Sequence, residues 1–149
     1  MSIAFLKQSL TRTILTVSII LFIISLTQIC FDTENGPGEA GEGLAILFSG
    51  SFGFFLCPAG FTWLANPALL VSWIYINRNP RKSLIASILS TFLSFSFLLF
   101  TDVIVSEGGN TAKINSYRIG YWLWLTSSII VLVFNLYRYF FKHNISDSH

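Results

Sequence analysis

The chain has 149 residues, of which 53% are hydrophobic and only 11% are charged, with a net charge of +2. Soluble domains carry roughly 25% charged residues, so an ordinary soluble domain is excluded, and the weak, scattered positive charge argues against a nucleic-acid partner. The few charges are confined to short segments between long apolar runs, the pattern of an integral membrane protein that crosses the bilayer several times.

The first apolar run, Thr13–Cys30, follows Lys7 and Arg12. Its profile is close to that of a signal peptide. However, Cys30 is preceded by Gln28-Ile29 rather than by small residues, and no A-x-A pattern follows, so the run reads as a retained span. The next segment carries Asp32, Glu34, Glu39 and Glu42; their spacing does not follow a calcium-binding loop and predicts a solvated one. From Leu44 to Ile76 the sequence is almost uninterruptedly apolar. As a single helix this stretch would measure about 50 Å, too long for one crossing of a core about 30 Å thick. Gly50, Gly53, Pro58 and Gly60 offer a break, and proline is well suited to the first turn of a helix. The expected division is a short outer-side element over Leu44–Leu56, interfacial or re-entrant, and a second span over Pro58–Ile76. After the turn "NRNPRK" come a third span, Leu84–Val105, a loop, Ser106–Arg118, and a fourth span, Ile119–Phe141. The fold class read from this pattern is all-α: four transmembrane helices in an antiparallel bundle, plus the short outer-side segment.

Orientation follows from the basic residues. Lys7, Arg12, Arg78, Arg81, Lys82, Arg138 and Lys142 fall on one side of the four spans, and only Lys113 and Arg118 fall on the other, with Asp32, Glu34, Glu39, Glu42 and Glu107. The excess of Lys and Arg in cytoplasmic segments then places both termini in the cytoplasm. Trp73, Tyr75, Tyr137 and Tyr139 fall at the inner interface in this frame, and Tyr117, Tyr121, Trp122 and Trp124 at the outer one.

Asn66-Pro67 stands about 12 Å from the start of the second span, near mid-membrane. Pro67 cannot donate to the Trp63 carbonyl, which predicts a kink there. Two readings are open for Asn66: a hydrogen-bonded kink that fixes helix packing, or a solute site at a broken helix. Ser83, Ser87, Ser90, Thr91 and Ser94 recur at spacings of three and four and share one face of the third span, which predicts a helix-packing stripe. Asp102 is the carboxylate inside a predicted span, and an antiparallel hairpin of the last two spans makes Arg118 its expected partner. Asn66, Asp102 and Arg118 therefore form the candidate intramembrane polar site. Cys30 and Cys57 both fall near the outer face, where a disulfide is permitted; two buried thiols are the alternative. His143 and His149 read as solvated tail residues.

No catalytic motif is present: there is no G-x-S-x-G, no H-E-x-x-H and no glycine-rich phosphate loop. The sequence implies no enzyme, no metal and no cofactor. The stretch "GLAILFSGSFGFFLCPAGFTWLANPALLVSWI" contains W-x-A-N-P, and "GYWLWLTSSIIVL" contains G-Y-x-x-W before a serine. In these motifs the chain resembles short uncharacterised bacterial four-helix integral membrane proteins, and the resemblance implies a bacterial inner membrane without implying an activity. The expected partners are the lipid bilayer and another membrane protein, or a second copy of the chain. The function expected is that of a small multi-pass protein acting by interaction, in an accessory, assembly or immunity-type role. The alternative is a small transporter or channel subunit using the Asn66-Pro67 break.

Overall fold

The computed structural model describes residues 3–34, 41–53, 58–104 and 110–146. Cys57, Glu39, Glu107 and His149, which figure in the sequence reading, lie outside them, as does the end of the expected 44–56 element. Helix α1 covers Ile3–Leu26, strand β1 Phe31–Thr33 and helix α2 Gly43–Gly53. A 3-10 segment, Pro58–Leu64, then runs directly into α3, Ala65–Tyr75. Helix α4 covers Pro80–Ser96 and ends in a 3-10 turn, Phe97–Leu99; strands β2, Asp102–Ile104, and β3, Thr111–Tyr117, precede α5, Ile119–Ser146.

Among the described residues, three helical stretches are long and apolar enough to cross a membrane: Gln8–Leu26, Pro80–Leu99 and Ile119–Phe140. The second expected span, Pro58–Ile76, is not a single α-helix. The change from 3-10 to α geometry falls beside Asn66-Pro67, so Pro67 lies in the first turn of α3 rather than at a kink within a continuous helix. Its missing N–H is there one of the orphan donors that any helix start leaves. The third expected span is also corrected. It leaves helical geometry at Phe100, which is extended, and Asp102–Ile104 is a strand rather than the end of a span.

Local chemistry explains the boundaries of α4. Asn79 is extended, its side chain accepts from Lys82 N at 3.1 Å, and Pro80 opens the helix. At the other end Tyr117 Oη donates to the carbonyls of Phe97 (3.3 Å) and Phe100 (3.4 Å), and Tyr121 Oη donates to the Ser94 carbonyl at 3.0 Å. These phenols satisfy acceptors that a helix end leaves open.

The helices pack as a bundle in which α3 lies against α4, and α5 lies between α1 and α4. Phe22, Leu69, Ile76, Val131 and Phe134 form its buried core. The lateral surface is apolar as well, with Ile85, Phe92, Leu99 and Val133 all more than half exposed. At the turn end Arg138 donates to the Ile76 carbonyl at the C-terminus of α3, a favourable place for a cation.

An unexpected antiparallel sheet of order β1-β3-β2 covers the opposite end. Its register sets Phe31 against Tyr117, Asp32 against Ser116 and Thr33 against Ile114, with a bulge between Asp32 and Thr33. On the other side Asp102, Val103 and Ile104 pair with Lys113, Ala112 and Thr111. Buried Phe31, Ala59 and Val103 form a second core beneath the sheet, with Phe97, Ile114 and Tyr117 packed on it. Strand β3 alternates as a half-buried strand should: Ala112 and Ile114 turn inward while Thr111, Lys113 and Asn115 are exposed.

Candidate functional site

The buried polar side chains of the bundle hydrogen-bond to one another in several groups between its helices. Ser83, Ser87, Ser90 and Ser94 are fully buried and Thr91 nearly so, because spacings of three and four keep them on one face of α4, the face packed against α3 and α5. Serine at these positions lets the backbones approach closely, and each of the four serine hydroxyls donates to a backbone carbonyl.

Toward the turn end, Ser83 Oγ donates to the Ser72 carbonyl at 2.9 Å and Ser72 Oγ to the Ser83 carbonyl at 3.0 Å. Ser87 Oγ donates to the Leu84 carbonyl at 2.8 Å. With those protons committed, the three hydroxyl oxygens serve as acceptors. Asn135 Nδ2, from α5, reaches Ser83 Oγ at 2.9 Å, Ser87 Oγ at 3.1 Å and Ser72 Oγ at 3.4 Å. One amide thereby fastens three helices. Its own Oδ1 is buried without a partner, as is Thr91 Oγ1.

A second tier lies toward the sheet end. Ser90 Oγ donates to the Ala65 carbonyl at 3.0 Å and stands 3.0 Å from Ser128 Oγ. Trp73 Nε1 donates to Ser18 Oγ at 3.0 Å, and Ser18 Oγ donates to the Ser127 carbonyl at 2.9 Å. Asn66 is 8% exposed, and its Oδ1 accepts from Trp124 Nε1 at 2.8 Å. The amide thus turns into the bundle, and its partner is an indole on α5 rather than the serine face of α4.

Asp102 and Arg118 are not brought together. Asp102 lies exposed in β2, accepts from Thr101 Oγ1 at 2.7 Å, and faces Lys113 across the strand pair. Arg118 instead forms an ion pair with Asp32 through Nε and Nη2, both on Oδ2. The correction has a topological cause. Strand β1 pairs with β3 and sets Asp32 opposite Ser116, two residues from Arg118, whereas β2 pairs with the far half of β3.

Cys30 is a free, half-buried thiol that points at the Gln28 carbonyl at 3.9 Å; Cys57, its expected disulfide partner, lies outside the described residues. Burial pushes its pKa up to about 12, so at neutral pH it is a protonated, unreactive thiol. In a Cys57→Ser variant, alkylation of Cys30 by iodoacetamide is expected to keep rising about tenfold per pH unit beyond pH 9, where an ordinary thiol levels off. Mass spectrometry of timed aliquots checks this, and a plateau near pH 9 would refute it.

Among the described residues no group of three or more His, Cys, Asp or Glu side chains could hold a metal. The sequence reading missed Asn135, Ser72 and Asp32 as parts of this arrangement. Asn135 carries the same signal as Asn66, an uncharged amide inside an apolar run. Ser72 has no distinguishing local signal, and Asp32 is meaningful only through its strand pairing. Chemically, the interior is a set of neutral donors and acceptors spent largely on one another, suited to clamping helices. Comparison with protein-family models, with curated proteins and with solved structures finds no match to this chain.

Proposed function

We propose that this chain is a four-pass inner-membrane protein that acts by binding another membrane protein, as an accessory subunit, assembly factor or immunity-type protein does. The fourth crossing in this reading is the composite of Pro58–Leu64 and α3. At about 2.0 Å per residue for 3-10 geometry and 1.5 Å for α, it reaches about 30 Å, the thickness of the hydrocarbon core. The basic turn Arg78, Arg81 and Lys82 then lies in the cytoplasm with both termini, and the sheet lies outside. The W-x-A-N-P and G-Y-x-x-W resemblance favours a bacterial membrane.

The observation that carries the interaction reading is the closure of Asn66. A solute site at a broken helix needs that amide to face a path, whereas its oxygen is held by the Trp124 indole and the residue is 8% exposed. No titratable side chain takes part in the hydrogen bonds around Asn135, which supports packing over proton transfer. Affinity capture of the full chain from native membranes, solubilised in mild detergent, is expected to bring down one membrane protein in stoichiometric amount. Recovery of the chain alone, together with solute flux into liposomes containing it, would overturn the reading in favour of transport.

A further inference from the structure

A recess of about 480 Å³ opens at the sheet end between the exit of α1 and the start of α5, lined by Gln28, Ile29, Asp32, Arg118 and Ile119. The polar interior does not use it. Its charges are arranged unevenly. Asp32 is 7% exposed, and its Oδ2 takes Arg118 Nε and Nη2 together with Ser116 Oγ at 3.1 Å. One edge of the guanidinium is therefore held by a buried carboxylate, while the Arg118 side chain as a whole remains 58% exposed. An arginine oriented on one edge and open on the other is prepared to present a planar donor pair to a phosphate.

The surroundings indicate which phosphate. The apolar stretch of α1 ends at Leu26 and that of α5 begins at Ile119, so Arg118 stands one residue beyond the apolar stretch, where headgroups replace hydrocarbon. Ile29 and Ile119, on the recess wall, are 39% and 57% exposed. Charged donors bordered by exposed isoleucines form an amphipathic site, and the volume falls in the range of small-ligand pockets, about 300–1,000 Å³.

We infer that this recess binds the phosphate of a phospholipid from the leaflet on the sheet side. Arg118 is the phosphate ligand, Gln28 a second donor, and Ile29 and Ile119 the contact for the acyl stem. Asp32 is a positioning residue that aims the guanidinium without touching the lipid. The inference rests on α1 and α5 crossing the membrane, and it is independent of whether the chain binds a protein partner.

Native mass spectrometry of the delipidated full chain in detergent, titrated separately with phosphatidylglycerol, phosphatidylethanolamine, diacylglycerol and soluble glycerol phosphate, tests it. The wild type is expected to retain one phospholipid and neither diacylglycerol nor glycerol phosphate. Arg118→Gln is expected to weaken phospholipid retention by about tenfold or more, the loss of a charge-assisted hydrogen bond. Asp32→Asn keeps an oxygen that accepts from the guanidinium and so holds its aim, but removes the negative charge that opposes a phosphate, and is expected to tighten retention. A pair that only holds the fold gives the same direction for both substitutions, so equal weakening overturns the proposal. Should either variant fail to fold, the wild type decides: equal retention of diacylglycerol and phospholipid refutes the phosphate site, and equal binding of soluble glycerol phosphate refutes the lipid as its source.

Discussion

Gly120→Ala is expected to lower the melting temperature of the detergent-solubilised protein by about 5 °C or more. Gly120 N donates to the Ile29 carbonyl at 3.0 Å, and that close approach leaves no room for a side chain. A β-carbon there would stand 2.7 Å from the Ile29 oxygen, 2.9 Å from its carbonyl carbon and 3.0 Å from Cys30 Sγ. The obstacle is backbone, which cannot rotate away. It is also tethered: Cys30 N donates to the Gly41 carbonyl at 2.7 Å and Arg118 N to the Cys30 carbonyl at 2.8 Å. Overpacking of this kind costs about 1–3 kcal/mol, and displacement of α5 would weaken the Arg118–Asp32 pair as well. Thermal unfolding followed by tryptophan fluorescence measures the shift. A melting point within about 1 °C of the wild type, about a fifth of the response that overpacking predicts, would mean that the junction is looser than these distances state.

Breaking the Asn66–Trp124 pair one partner at a time is expected to cost about 1–2 kcal/mol at each step, because each substitution strands the other partner's polar atom inside the bundle. Asn66→Leu leaves the indole N–H without its acceptor, and Trp124→Phe leaves the amide without its donor. The double variant replaces both with apolar groups and is expected to melt close to the milder single variant, not at the sum of the two. A coupling of about 0.5 kcal/mol or more in this cycle is the signature of a direct bond. Strictly additive effects would show that Asn66 acts through something other than Trp124. A melting point unchanged in Asn66→Leu, combined with loss of solute flux, would move the residue from the packing role to a transport role.

Certain features depend on composition and length alone, and these were legible. The apolar runs of α1, α4 and α5 were recognisable because a helix must be about 20 residues long to cross hydrocarbon, whatever its neighbours. The start of α5 at Ile119 coincides with the expected boundary, since Arg118 ends the polar segment. The entry to α4, expected at Leu84 from apolar length alone, lies four residues earlier at Pro80, behind the Asn79 cap. The inward stripe of Ser83, Ser87, Ser90, Thr91 and Ser94 followed from helical periodicity, which is a local property of the chain.

What required the tertiary structure was every feature whose partner lies far along the sequence. Strand β1 has three residues and finds its ladder on β3, with Asp32 against Ser116; segments this short carry no periodicity to detect, and β2 was hidden by its Val103-Ile104 continuing an apolar run. That pairing, rather than proximity within a hairpin, assigns Arg118 to Asp32 and leaves Asp102 at the surface. The division of Pro58–Tyr75 into 3-10 and α portions places Pro67 where its missing donor is harmless, a choice of geometry that composition does not encode. Asn135 acquires its meaning only when α3 and α4 bring Ser72, Ser83 and Ser87 within reach of one amide. The sequence by itself determined where apolar length demands a helix and which face of α4 is small and polar, because both follow from local spacing. Only the tertiary structure decided which polar groups meet, because in an apolar medium each buried donor must find an acceptor wherever the packing of distant segments supplies one.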